Sequence, residues 1–186
     1  MKAVITNLLV FNAGWLSCVL AGANHLPWLG TVTALLIVVR HLSIAADARK
    51  ELSLILIAGG IGAVWDSALV YAGILEYPSG TLIEGTAPNW IIAMWLLFAT
   101  TLNVSLRWLK QRPALAGVLG ALSGPTAYFA GHKLGGVQIP DLAVAMLVLG
   151  CGWALIMPFL MSVSNRLDGI KVQTSSPALA ECNARV

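Results

Sequence analysis

The sequence predicts an all-α membrane protein: a six-helix transmembrane bundle with both termini in the cytoplasm. Three observations lead there. First, the 186 residues are 58% hydrophobic and only 10% charged, where soluble domains carry about 25% charged residues. A small soluble globule still needs a wetted polar surface, so the deficit calls for a bilayer as solvent. Second, six apolar runs approach the roughly 20 residues that a spanning helix needs. Third, an even number of spans puts both termini on one side, together with ten of the eleven Lys and Arg residues; only Lys133 falls opposite. That asymmetry is the positive-inside signal. The net charge of +3 is then a sign of topology, and no nucleic-acid partner is expected.

The runs are Ala3–Ala23, Leu26–Ile44, Leu52–Glu76, Trp90–Leu109, Ala114–Leu134 and Leu142–Val163. They are too long for barrel strands and lack two-residue alternation. The first begins after Lys2 and ends on "AGA" at 21–23, which resembles a signal peptide. Its length and its Asn7 and Asn12 favour an uncleaved span instead. "HLPW" at 25–28 makes a tight hairpin, and "AADARKE" (45–51) and "KQRP" (110–113) make short cytoplasmic turns. "YPSGTLIEGTAPN" (77–89) and "GGVQIPD" (135–141) are the longer external loops. Residues 1–164 thus read as one polytopic membrane domain, and residues 165–186 as a mobile cytoplasmic tail. Trp28, Tyr77 and Trp90 fall at the external interface and Trp108 at the internal one, as in an aromatic belt. Cys18, Cys151 and Cys182 show no metal spacing. The first two read as small buried helix residues and the third as a free thiol on the tail. No metal or other cofactor is expected.

Asp66, within "GIGAVWDSALVYAG" (60–73), is the residue most in need of explanation. It lies 14 residues from Leu52, about 21 Å along a helix, in the outer half of the bilayer. A charged carboxylate there costs on the order of 3 kcal/mol to insert, so it should face the bundle and have a partner. The fifth span supplies candidates in "GPTAYFAGHK" (124–133). Tyr128 matches the depth of Asp66, His132 and Lys133 lie one turn further out, and Trp95 on the fourth span sits at a similar level. The group is either a polar clamp between helices or a proton, cation or acid/base site.

A second polar cluster lies in the inner half. Asn7 and Asn12 come from the first span, and "FATTLNVSLRW" (98–108) brings Thr101, Asn103 and Arg107 from the fourth. Hydrogen bonding between helices explains it best. Arg107 reads as a snorkelling topological charge, or as a contact to a lipid phosphate. "GGIG" (59–62) and the Gly120/Gly124 pair permit close helix approach. "GGIG" follows no strand, so it is no dinucleotide fingerprint. Pro125 removes a helical hydrogen bond and frees a carbonyl near Ala121 to line a cavity.

Four segments together, "NLLVFNAGW" (7–15), "WDS" (65–67), "WLLFATTLNVSLRWL" (95–109) and "GALSGPTAYFAGHKLG" (120–135), resemble a family of small bacterial inner-membrane proteins, domain of unknown function 2878. The resemblance runs from about Asn7 to Pro158. It implies a multi-pass inner-membrane location and an association with membrane fatty-acid modification. The chain departs from the family's pattern at Val104, where a histidine is common, and at Asn12, where a glutamine is common. The leading expectation is an accessory role in membrane lipid metabolism or envelope stress, binding membrane lipids or a membrane-associated enzyme. No complete catalytic motif is present. Two rivals stand beside it: a small transporter or channel with Asp66 as coupling carboxylate, and an intramembrane lipid-modifying enzyme using Asp66, Tyr128 and His132. An oligomer is compatible with all three.

Overall fold

Each predicted apolar run forms a helix. The computed structural model describes residues 1–170. The helices are α1 (Lys2–Ala23), α2 (Pro27–Ile44), α3 (Ala48–Tyr71), α4 (Asn89–Leu102), α5 (Pro113–Lys133) and α6 (Leu142–Arg166), with a 3-10 turn at Arg107–Leu109. Local chemistry sets their starts. Pro27 and Pro113 open α2 and α5, where a missing N–H costs nothing. Asp47 caps α3 by accepting from the amides of Arg49 and Lys50, and Asp141 caps α6 by accepting from Val144. The α1–α2 hairpin closes through His25, whose φ of 59° lies in the left-handed region.

The chain is a membrane protein. α1, α2, α3 and α6 are long and apolar enough to cross a bilayer. α5 has 21 residues, but its glycines, prolines, Ser123, Thr126, His132 and Lys133 dilute its apolar character. α4 has only 14 residues, about 21 Å, and ends well before the predicted Leu109. The cause is local. Thr101 Oγ1 bonds the Phe98 carbonyl, and the amides of Val104 and Leu106 both fold back onto Thr101 O. The chain then turns through buried Asn103 and Ser105. Irregular backbone is tolerated there because protein groups surround and satisfy it.

Other boundaries also differ from the sequence reading. The third span ends at Tyr71, not Glu76, and Glu76 instead pairs antiparallel with Gln138. The tail predicted from Asn165 does not begin there. Asn165 and Arg166 finish α6, and Asp168 and Gly169 are bonded to the bundle. The tail beyond Ile170, with Cys182, lies outside the described residues. Cys151 is exposed rather than buried, and Trp90, in the first turn of α4, is 1% exposed.

α4 forms the centre. It packs against α1, α2 and α3, and nine of its residues are buried. α5 packs on α6, and α6 touches α3 and α4 only lightly. The molecule is therefore a four-helix unit, α1–α4, beside an α5–α6 hairpin.

Glycines make the close approaches. A methyl group on Gly62 of α3 would collide with the Trp95 ring of α4, and one on Gly124 of α5 with the Trp153 ring of α6. Gly120 faces the Trp153 carbonyl in the same way. The carbonyl of Ala121, freed by Pro125, faces Gly150 of α6, where a methyl group would sit 3.5 Å away. Replacing Gly62 by Val is expected to destabilise the fold by about 1–3 kcal/mol, the usual scale of overpacking. Denaturant unfolding in detergent, followed by tryptophan fluorescence, measures it; an unchanged midpoint contradicts the packing described.

Candidate functional site

Asp66 stands on α3 one turn beyond Gly62, so the two share a helix face. The empty side of Gly62 admits the Trp95 indole, whose N–H reaches Asp66 Oδ2 at 2.7 Å. Across the boundary the pattern repeats. Gly124 admits Trp153, and one turn further along α5 the Tyr128 hydroxyl donates to Asp66 Oδ1 at 2.8 Å. The two indoles stack between the glycines, with centroids 4.9 Å apart and planes at 13°. A third donor, the Tyr77 hydroxyl from the α3–α4 loop, also reaches Oδ1 at 2.8 Å. Asp66 is 0% exposed. Its oxygens take three donors, and among the described residues no Lys, Arg or His pairs with it. Convergent donors are what a buried carboxylate requires.

Of the residues predicted around Asp66, the structure brings Trp95 and Tyr128 to it and leaves His132 and Lys133 apart. His132 Nδ1 donates to the Val137 carbonyl at 3.1 Å and secures the α5–α6 loop. Lys133 Nζ lies 5.2 Å from the Phe129 ring centroid, on its own helix. His132 lies one turn beyond Tyr128 on the same helix face and is taken up by Val137, whereas Lys133, one residue further, turns off that face. The loop position of Tyr77 points to the aromatic belt, and nothing in its spacing shows that the loop folds back.

Beside this cluster lies a cavity of about 540 Å³, between α1 and α4 on one side and α5 on the other. Phe11, Trp15, Phe98, Leu119 and Trp153 give it a largely aromatic wall. Its polar groups are few: Asn12, Ser123, Thr126 and the two tyrosines that hold Asp66. Asp66 is not among the lining residues. The α3–α4 and α5–α6 loops roof it. Glu76 and Gln138 exchange backbone hydrogen bonds of 3.0 and 2.7 Å, and neighbouring Tyr77 and Val137 line the space.

The predicted inner cluster divides into separate sets. Asn7 accepts from Ser105 and donates to the Thr100 carbonyl. Among the described residues, the Asn12 side chain bonds only its own helix, at Leu8 O, and the Thr101 hydroxyl bonds only Phe98 O. Asn103 belongs to a different network, built around a residue assigned to a surface turn, Glu51. That carboxylate is 0% exposed. It accepts from His41 Nε2 at 2.8 Å, Asn103 Nδ2 at 2.6 Å and the Gly169 amide at 2.8 Å. Ser164 of α6 donates to Asn103 Oδ1. Arg107 neither snorkels freely nor stands unpaired; it bonds the Asn103 carbonyl and Asp168 Oδ1, and Lys110 bonds Asp168 Oδ2. Four segments thereby close one end of the bundle.

The family described as "Protein of unknown function (DUF2878)" matches residues 4–159. The chain belongs to that family. No curated protein and no solved structure matches it. In this DUF2878 member the Asp66 cluster, the cavity and Glu51 lie within the matched stretch, whereas Ser164, Asp168 and Gly169 of the closing network lie past its end.

Asp66→Asn keeps the shape and replaces one acceptor oxygen by a donor, so one of three donors loses its partner. A stability loss of about 1–3 kcal/mol is expected, with a change in Trp95 emission; equal stability and emission would contradict the clamp. Asp168 titrates at the opposite end. Burial disfavours its charge, but the Lys110 hydrogen bond, the Ile170 amide and the Lys110 and Arg107 charges prevail and hold its carboxyl below the usual range. A depressed folded value stabilises above the unfolded pKa, and the gain is lost as pH falls through the folded value. The stability gap between wild type and Asp168→Asn is therefore expected to be constant near neutral pH and to close below the ordinary carboxylate range. A gap independent of pH in acid-unfolding measurements refutes this.

Proposed function

We propose that the protein is a multi-pass protein of the bacterial inner membrane, with both termini in the cytoplasm, that binds an apolar lipid-type ligand in the cavity between its two helical units. Its role is accessory to membrane lipid metabolism or envelope stress, alone or with a membrane-associated enzyme. The observation that carries this reading is the cavity itself: about 540 Å³, aromatic-walled, and bordered by the stacked indoles. That size and character suit a mainly hydrophobic ligand oriented by a few polar groups. The basic asymmetry of the sequence supports the orientation.

The rival readings draw less support. A coupling carboxylate needs an approach for water and ions, and Asp66 is fully buried beneath three donors. An acid/base set needs its members on one cavity, and of Asp66, Tyr128 and His132 only Tyr128 lines it.

Ala127 lines the cavity from α5 and is exposed. Ala127→Trp is expected to fill the space, abolish co-purification of lipid detected by native mass spectrometry, and fail to restore the lipid profile of a deletion strain. An unchanged lipid profile in the deletion strain under envelope stress, or full lipid retention by Ala127→Trp, overturns the reading.

A further inference from the structure

A second concavity, of about 420 Å³, opens at the end of the bundle that carries Met1 and the close of α6. It lies against the turn that follows α4. Arg107, Lys110 and Arg112 bring three positive charges to its wall, and Asp168 brings the one negative charge. Asp168 engages Arg107 at 2.8 Å and Lys110 at 2.7 Å, so it answers two cations with one carboxylate. Arg112 makes no ion pair among the described residues. Its guanidinium carbon lies 6.0 Å from the centroid of the Trp108 ring. Arg107 spends Nε and one terminal nitrogen on Asn103, Asp168 and Ile170. Its second terminal nitrogen has no protein acceptor among the described residues. Gln111 adds an exposed side-chain amide to the same wall.

Charges that serve topology alone need only lie on the correct side of the membrane. These three converge on one concave space, with excess positive charge and fork-shaped donors, the arrangement that suits a phosphate. Trp108 is 52% exposed, and a tryptophan beside basic residues at the end of membrane helices marks the headgroup layer. We infer that this concavity is a phosphate-binding site at the membrane surface, with Arg112 and the free edge of Arg107 holding the phosphate oxygens. Asp168 fixes Arg107 and Lys110 in position from behind. The phosphate belongs to an anionic lipid headgroup or to a soluble phosphate compound. The site stands apart from the aromatic cavity, and its existence does not depend on what that cavity holds.

Native mass spectrometry of the detergent-purified full chain, titrated with phosphatidylglycerol or phosphatidylcholine, tests the inference. Wild type is expected to retain phosphatidylglycerol over phosphatidylcholine. Arg112→Gln is expected to lower that retention about fivefold, the scale of one basic residue at an anionic surface. Arg112 has no buried partner, so this variant leaves the fold intact; Lys133→Gln, at the opposite end, leaves retention unchanged. Retention that survives millimolar inorganic phosphate assigns the site to lipid. Displacement of the lipid by inorganic phosphate, with the same Arg112 dependence, assigns it to a soluble phosphate. Equal retention of the two lipids by wild type, or equal retention by wild type and Arg112→Gln, overturns the site.

Discussion

A buried carboxylate held by three neutral donors sets the terms for this protein. Asp66 sits at the seam between the α1–α4 unit and the α5–α6 hairpin, and its donors come from both sides: Trp95 and Tyr77 from the first, Tyr128 from the second. Lipid tails are as apolar as leucine, so burial alone does not drive such units together in a bilayer. Directional bonds and close steric fit must do it. Both are concentrated here. The two glycines that admit Trp95 and Trp153 each stand one turn from a member of the hydrogen-bonded cluster, so the indole stack and the carboxylate contacts form as a single feature.

The same feature explains why a cavity exists. The units meet at the Asp66 cluster, at the stacked indoles and at the Glu76–Gln138 pairing above them. Elsewhere α5 packs on α6 and stands off from α1 and α4. A seam fastened at a few places leaves space between them, and its walls carry the aromatic side chains that flank the fastenings. At the opposite end, fully buried Glu51 gathers His41, Asn103 and the Gly169 amide, and partly exposed Asp168 holds Arg107 and Lys110.

Much of the architecture was legible in the sequence because hydropathy and depth are local properties. The six runs became six helices, and counting residues from the span edges placed Asp66, Trp95 and Tyr128 at one level. His132 lies one turn past that level and bonds Val137 instead, and depth along an axis does not encode the rotation that turns Lys133 off the Tyr128 face. Tyr77 and Gly169 reach their partners through loops, whose paths depend on what they pack against. Glu51 resembled an ordinary charge in a basic turn, "AADARKE", because nothing in a linear string shows that α6 ends on top of it. Asn103 falls within the predicted full-length span, and the early end of α4 makes it a junction instead.

The order in which the chain is made gives Asp66 a further consequence. α3 emerges before Trp95, Tyr128 and the loop carrying Tyr77. When it enters the bilayer its carboxylate faces hydrocarbon with no donor in place, at a penalty of about 3 kcal/mol on insertion scales. The segment is apolar enough to tolerate this, yet its final depth is secured only when α4 and then α5 arrive. Assembly is therefore directional: the third helix waits for the fourth and fifth, and a nascent chain halted between them leaves the membrane holding an unsatisfied acid.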